Sequence, residues 1–369
     1  MKTAFLHVGL PKTGTTSIQD FLFEEREALE TAGFLFPAPA SATREARVAA
    51  GEGWGRHASI LAAVQGDWGS LAPGEWDAWQ TEFARFARSA TLHTLIISHE
   101  TIGNRAAQLD MTLLRNVIDG HRQKVLLVVR EAEAWLTSLY EQRISGRRRM
   151  SAAPEAFGSV HDYLRGGFET RIKALQSAFP DAEILVVPFE RLVAGHGLVP
   201  NSAALIGLPA DVQARGETAK RVNISLTQER IEVMRRCNGS DLPFESFVAI
   251  RRALAAAQRR SEQPKAPRRR IFPPEIAAAI AARYEDDRAW LARTLGVDLP
   301  PQKVLAPEPL ALGAAELADI VEQTRPFLTP EIHAQFARAA TAPEASRLPT
   351  GRERAQAERR RLRREQRSR

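Results

Sequence analysis

Residues 8–17 read Val8-Gly9-Leu10-Pro11-Lys12-Thr13-Gly14-Thr15-Thr16-Ser17. The residues just before, 3–8, are mostly apolar and predict a buried strand. Just after, Ile18, Phe21, Leu22, Ala28 and Leu29 recur at helical spacing, with Thr15 or Thr16 placed to cap the helix. A strand that enters a helix through a glycine loop aims several backbone N–H groups, and the positive helix end, at one point. That geometry suits phosphate or sulfate. The common nucleoside-triphosphate loop has the order G-x-x-x-x-G-K-[ST]. Gly9 and Gly14 keep its separation, but Thr15 stands where the lysine belongs and Lys12 has moved back into the loop crest. A lysine at the crest lies beside the first phosphate rather than reaching outward to the β- and γ-phosphates. Taken alone, the segment also fits a kinase-like loop or a structural turn.

Downstream, residues 92–98, Val125–Val129 and Ile184–Val187 are further apolar runs that read as strands. Helical patterns lie between them at Met111–Ile118, Trp135–Ile144 and Tyr163–Phe179. Almost wholly apolar strands alternating with helices predict a parallel sheet covered on both faces, an α/β three-layer architecture. The polar, Gly- and Trp-rich stretch from about 37 to 80 reads as loops and short helices facing a substrate. After about residue 225 the pattern turns helical, at Gln228–Arg236, Phe247–Arg259 and Glu275–Leu295, with one or two more helices at 314–340. The Pro- and Arg-rich residues 263–270 break that series as a basic loop. The expected organisation is one domain over 1–299, a helical extension over 300–345 and a flexible basic tail over 346–369.

The chain has 369 residues, 44% of them hydrophobic and 26% charged, the composition of a globular protein. Its single cysteine, Cys237, excludes an intramolecular disulfide and any multi-cysteine metal site. The apolar start is interrupted by His7 and runs into Lys12, so it does not read as a signal sequence. No stretch approaches the ~20 apolar residues of a membrane span, and a cytoplasmic location is expected. The net charge of +7 hints at nucleic acid, but residues 352–369 hold nine arginines and three glutamates, a local balance of +6. The remainder is nearly neutral, so the basic run reads as a solvated tail and no nucleic-acid partner is expected.

The loop with its displaced lysine resembles the 5′-phosphosulfate-binding loop of the sulfotransferases that use 3′-phosphoadenosine 5′-phosphosulfate (PAPS), bacterial type. A second segment strengthens the likeness. Residues 124–140 form a strand, a break and a helix in which Arg130 is followed eight positions later by Ser138. This is similar to the family's 3′-phosphate motif, with an arginine fork and a hydroxyl for one phosphate. Ala132 stands where relatives often carry proline. Weaker likenesses lie at 184–192 and at Arg221–Leu226, so the resemblance covers roughly residues 2–295. It implies a P-loop kinase-like fold, PAPS as co-substrate and no metal. It also implies that Pro11, Lys12, Thr13, Gly14, Thr15, Thr16, Ser17, Arg130, Ser138 and Arg221 bind the nucleotide. Lys12 would neutralise charge on the phosphate-to-sulfate bridge.

In-line sulfuryl transfer benefits from a base on the acceptor side. The second predicted strand ends in Ser98-His99-Glu100, at the sheet edge where α/β proteins bind ligands. The family uses glutamate or histidine for this task, and Glu100 leads His99 and then His57 as candidates. Glu100 also fits a plainer role, orienting Lys12 or capping a helix that begins near Ile102. The expected acceptor is a hydroxyl or amine of a polysaccharide or glycolipid, on which Trp54, Trp68, Trp76 and Trp79 could stack, though a local core suits them as well. Two other functions fit the same residues less closely. One is an ATP-dependent P-loop kinase, which lacks here a lysine at position 15 and a strand ending in Asp. The other is a non-catalytic nucleotide-binding protein with a partner for its basic tail.

Overall fold

The computed structural model describes residues 1–37, 60, 64, 74–146, 149–158, 161–218, 226–261, 269–302 and 312–342. Two compact units divide the chain: residues 1–135, 162–222 and 280–302 form the first, and 136–161, 223–279 and 303–369 the second.

The first unit is α/β, with a five-stranded, wholly parallel sheet flanked by helices. Its strands are β1 (Thr3–His7), β2 (Phe34–Leu35), β3 (Thr94–Ser98), β4 (Arg122–Val129) and β5 (Glu183–Pro188), in the spatial order β2-β3-β1-β4-β5. One sheet face carries Phe5, Ile96, Leu126 and Val128, buried under helices α1 (Thr15–Glu24) and α2 (Arg26–Thr31) and the downstream segment 192–212. On the other face Leu127 meets Gly103, in the short helix Glu100–Asn104. That helix packs in turn on the long helix Tyr163–Ala178. The sheet is therefore covered on both sides, as its uninterrupted apolar strands require.

Chain order then sets where a ligand would lie. From β1 the chain moves outward to β2, returns to β3 beside β1, and crosses to β4 on the opposite side. The carboxyl ends of β1, β3 and β4 thus open side by side at the switch point of the sheet. These are the ends that carry the glycine loop, Ser98-His99-Glu100 and Arg130.

Three local expectations need correction. Neither Thr15 nor Thr16 caps α1: its N-cap is Gly14, at φ 84°, with no side-chain cap bond. The stretch read as loops and short helices to about residue 80 gives way at Gly74 to a fourteen-residue helix, α3 (Glu75–Arg88). The helix after β3, α4 (Glu100–Asn104), starts at Glu100 itself, and its cap is His99 rather than Glu100.

The helix Tyr163–Ala178 is broken at Gly167, whose φ of 58° and ψ of −157° no helix contains. The second half must therefore start afresh at Phe168 with unpaired N–H groups. Asp287, fully buried on the helix Pro274–Leu295, supplies the acceptors. Its carboxylate takes the Phe168 N–H at 3.0 Å, the Glu169 N–H at 3.3 Å, the Tyr163 hydroxyl at 2.9 Å and an Arg283 N–H at 3.1 Å. A Cβ at Gly167 would stand 2.4 Å from both Asp287 and Arg283, so only glycine fits the break.

The described part of the second unit is helical. Helix Pro330–Thr341 packs on Gln228–Asn238, Phe244–Arg260 and Ala314–Glu322. The Asn238 side chain donates to the carbonyls of Ile144 and Met150, at 2.9 and 3.0 Å. Arg149 donates to the Leu242 carbonyl at 2.7 Å and lies 5.0 Å over the Phe247 ring. No helix among the described residues is long and apolar enough to cross a membrane.

Candidate active site

The glycine loop is fastened to the sheet before it turns. The Val8 N–H donates to Leu126 O at 2.9 Å and the Leu10 N–H to Val128 O at 3.3 Å, extending the ladder with β4 past the end of β1. The turn is closed by Thr13, whose hydroxyl and N–H both donate to Leu10 O, at 2.6 and 3.3 Å. Lys12 at the crest has φ 69°, a left-handed conformation that costs a residue with a Cβ on the order of 1–3 kcal/mol and tends to persist at functional sites. Gly14 is also left-handed, and a Cβ there would lie 2.2 Å from Leu198 Cδ2. Because no side chain caps α1, its first N–H groups and its positive end stay directed at the loop.

The segment after β4 holds the crest from the other side. An Arg130 N–H donates to Lys12 O at 3.2 Å, while the guanidinium stacks 5.0 Å over the Phe189 ring. The Trp135 indole N–H donates to Pro11 O at 2.9 Å. Glu131 caps the helix Ala132–Ser145, accepting from the N–H groups of Glu133 at 2.9 Å and Ala134 at 2.8 Å. Ser138 lies further along this helix, in the part belonging to the second unit, and is 4% exposed.

At the end of β3 the two candidate bases take different posts. His99 is buried, its N–H donates to His7 O at 2.9 Å, and its Nδ1 accepts from Thr101 N–H at 3.1 Å as the cap of α4. Half of its imidazole is thereby committed to structure. Glu100 follows in the first turn, where burial pushes its carboxyl above the usual carboxylate range while the charge of Lys12 pulls it back. Lys12 and Glu100 therefore share one electrostatic environment. The close approach depends on Gly103, since a Cβ there would sit 1.9 Å from Val8 O.

Two residues that sequence reasoning passed over complete the centre. His7, read only as an interruption in an apolar strand, is fully buried beneath the loop, and its Nδ1 lies 2.9 Å from Ser98 Oγ. The Gln19 amide donates to Ser98 O at 2.8 Å and to Ser98 Oγ at 3.2 Å. Burial lowers the His7 pKa to about 4. The available signal was a titratable ring two residues before the first loop glycine, inside a strand that is otherwise apolar.

Of the tryptophans offered as an acceptor platform, Trp79 is fully buried with its ring 5.7 Å from that of Phe83, which places it in a local core. Trp76 makes an edge contact with the same Phe83. His57, Arg221, Trp54, Trp68 and the basic tail lie outside the described residues. Lys12, Glu100, His99 and Arg130 are thus gathered with Thr13, Gly14 and Thr15 around one loop at the carboxyl edge of the sheet. The chain matches no protein-family model, and a search of curated proteins finds no match to it.

Proposed function

We propose that the chain is a sulfotransferase that uses PAPS and sulfates a hydroxyl or amine of a polysaccharide or glycolipid, on the fold of P-loop sulfotransferases. The observation that carries this reading is the lysine inside the loop crest, held left-handed with its carbonyl on Arg130 and its charge acting on Glu100. The donor set fits a polyanion. Lys12, Arg130, the uncapped start of α1 and the Thr15 hydroxyl, buried with no protein partner, all favour negative oxygens.

PAPS, when bound, supplies the sulfuryl group and the bisphosphate that leaves. The chain's own residues then divide the work. The loop N–H groups and α1 orient the 5′ phosphate. Lys12 neutralises charge that builds at the phosphate-to-sulfate bridge, an electrostatic contribution that grows toward the transition state. Arg130 serves the 3′ phosphate and steadies the crest through Lys12 O. Glu100 takes the acceptor proton at its carboxylate, and its raised pKa suits it to that task near neutral pH.

The test is transfer of label from ³⁵S-PAPS into carbohydrate and lipid fractions by the full chain, with EDTA present. We expect transfer that EDTA leaves unchanged and tight binding of adenosine 3′,5′-bisphosphate. Lys12→Ala should abolish most turnover while leaving the melting temperature near that of the wild type, since Lys12 is not part of the hydrophobic core. A strict magnesium requirement, or phosphate transfer from ATP, would replace the proposal with a kinase. Bisphosphate binding without transfer to any acceptor would replace it with a nucleotide-binding protein.

A further inference from the structure

The floor of the loop contains two polar atoms that the reading above leaves idle. Among the described residues, His7 Nε2 and Thr15 Oγ1 are buried without a hydrogen-bond partner, on side chains that are 0% and 2% exposed. Orphaned groups of this kind cost about 1–3 kcal/mol each unless something answers them. They lie on the same side of Gly9. A Cβ built there would stand 3.1 Å from His7 Nε2, 3.1 Å from Thr13 Oγ1 and 3.4 Å from Thr15 Oγ1. Three polar atoms therefore converge on Gly9 too closely to leave room for a methyl group, at the foot of a loop that faces the start of α1.

The buried network also bears on which His7 nitrogen holds the proton. The Gln19 amide donates to Ser98 Oγ, and Ser98 Oγ lies 2.9 Å from His7 Nδ1, a pair in which either atom can be the donor. An imidazole whose Nδ1 accepts carries its proton on Nε2 when neutral. With the Ser98 hydroxyl as the donor to Nδ1, the ring presents its Nε2–H beside Gly9.

We propose that His7 is an additional anion-binding residue, whose neutral Nε2–H, with the Thr15 hydroxyl, takes an oxygen of the phosphate or sulfate group seated in the glycine loop. The proposal rests on the loop being an anion site and deepens the function proposed above. A neutral donor is suited to this place because it answers a buried oxygen without burying a further charge. The pKa of about 4 keeps the ring neutral at physiological pH. The role of Gln19 and Ser98 is to hold the tautomer.

The experiment uses the full chain labelled with ¹⁵N-histidine, with long-range ¹H–¹⁵N correlations to assign tautomers, and two ligands, adenosine 3′,5′-bisphosphate and inorganic pyrophosphate. His7 should be in the Nε2–H form at pH 7, and its Nε2 resonance should move on saturation with either ligand. His7→Phe, which keeps the ring volume, should weaken binding by about ten- to a hundredfold, the worth of one hydrogen bond to a charged group. Ser98→Ala, a smaller change should His7→Phe fail to fold, should mix the tautomers and weaken binding severalfold. An Nδ1–H tautomer, an Nε2 resonance indifferent to saturating ligand, or a folded His7→Phe protein that binds like the wild type would overturn the proposal. If the bisphosphate binds and PAPS turns over under any of those outcomes, only His7 loses its role. If pyrophosphate moves Nε2 but no sulfuryl transfer occurs, the sulfotransferase reading falls and the His7 site stands. Failure of both ligands to bind would remove both.

Discussion

Glu100, half-buried, and His7, fully buried, show how two titratable groups one strand apart are shifted in opposite directions. Glu100 is shifted upward by burial and drawn back by Lys12. As a base it works only when ionised, so turnover should rise with pH through a limb above the ordinary carboxylate range. Glu100→Gln should abolish that limb and lower kcat by about 10²–10⁴-fold, while bisphosphate affinity holds or tightens because a negative charge has left the site. Steady-state kinetics with calorimetry would check this, and retained kcat would reduce Glu100 to a partner of Lys12. His7 acts on stability instead. With a pKa of about 4 in the fold against 6.5 for an unperturbed imidazole, the unfolded chain binds a proton between those values that the folded chain refuses. Its contribution is complete above pH 6.5 and is lost as pH falls, by about 1.4 kcal/mol per unit and about 3 kcal/mol at pH 4. Glu100 and Glu131, both raised, work in the opposite sense, so the informative quantity is the difference between proteins. Urea denaturation at pH 7 and pH 5 should show a smaller loss in His7→Phe than in the wild type, and equal losses would mean that His7 is not held neutral. Lys12 and Arg130 were legible because a displaced lysine and a strand-end arginine are local patterns. His7 and Gln19 were not, because their roles come from Ser98, 91 and 79 residues away.

Among the elements, the apolar runs marked β1, β3, β4 and β5, while β2 is two residues long and too short to show any period. The start of α1 misled because hydroxyl residues at 15 and 16 imitate a cap, whereas the loop needs a left-handed residue at 14 and uses glycine. The break at Gly167 was equally hidden, since its partner Asp287 lies 119 residues on. Asp287→Ala would strip the second half of the helix Tyr163–Ala178 of its cap and leave the Tyr163 hydroxyl and Arg283 unanswered. The expected loss is about 3–5 kcal/mol, seen as a lower urea midpoint at unchanged slope. A loss below about 1 kcal/mol would show that water replaces the carboxylate without penalty.

Taken as a whole, the chain passes between its two units at 135/136, 161/162, 222/223, 279/280 and 302/303. Every described group assigned to the 5′ side, with Arg130 and Glu100, belongs to the first unit, and the basic run at 352–369 comes far later in the sequence. Because the tail's charge is so far in sequence from every phosphate ligand assigned, ending the chain at residue 345 should leave bisphosphate affinity unchanged. Calorimetry on the shortened protein checks this, and a loss would make the arginine run part of the site.

The distance along the chain between Phe168 and Asp287 also sets a clock on biosynthesis. At roughly 5–20 residues per second, the carboxylate leaves the ribosome about 6–24 s after the helix start it must satisfy. Throughout that interval the nascent sheet and loop can form while one of their covering helices has no partner for its first amides. The glycine loop and the strands that hold it are thus made well before the cap of the helix Tyr163–Ala178.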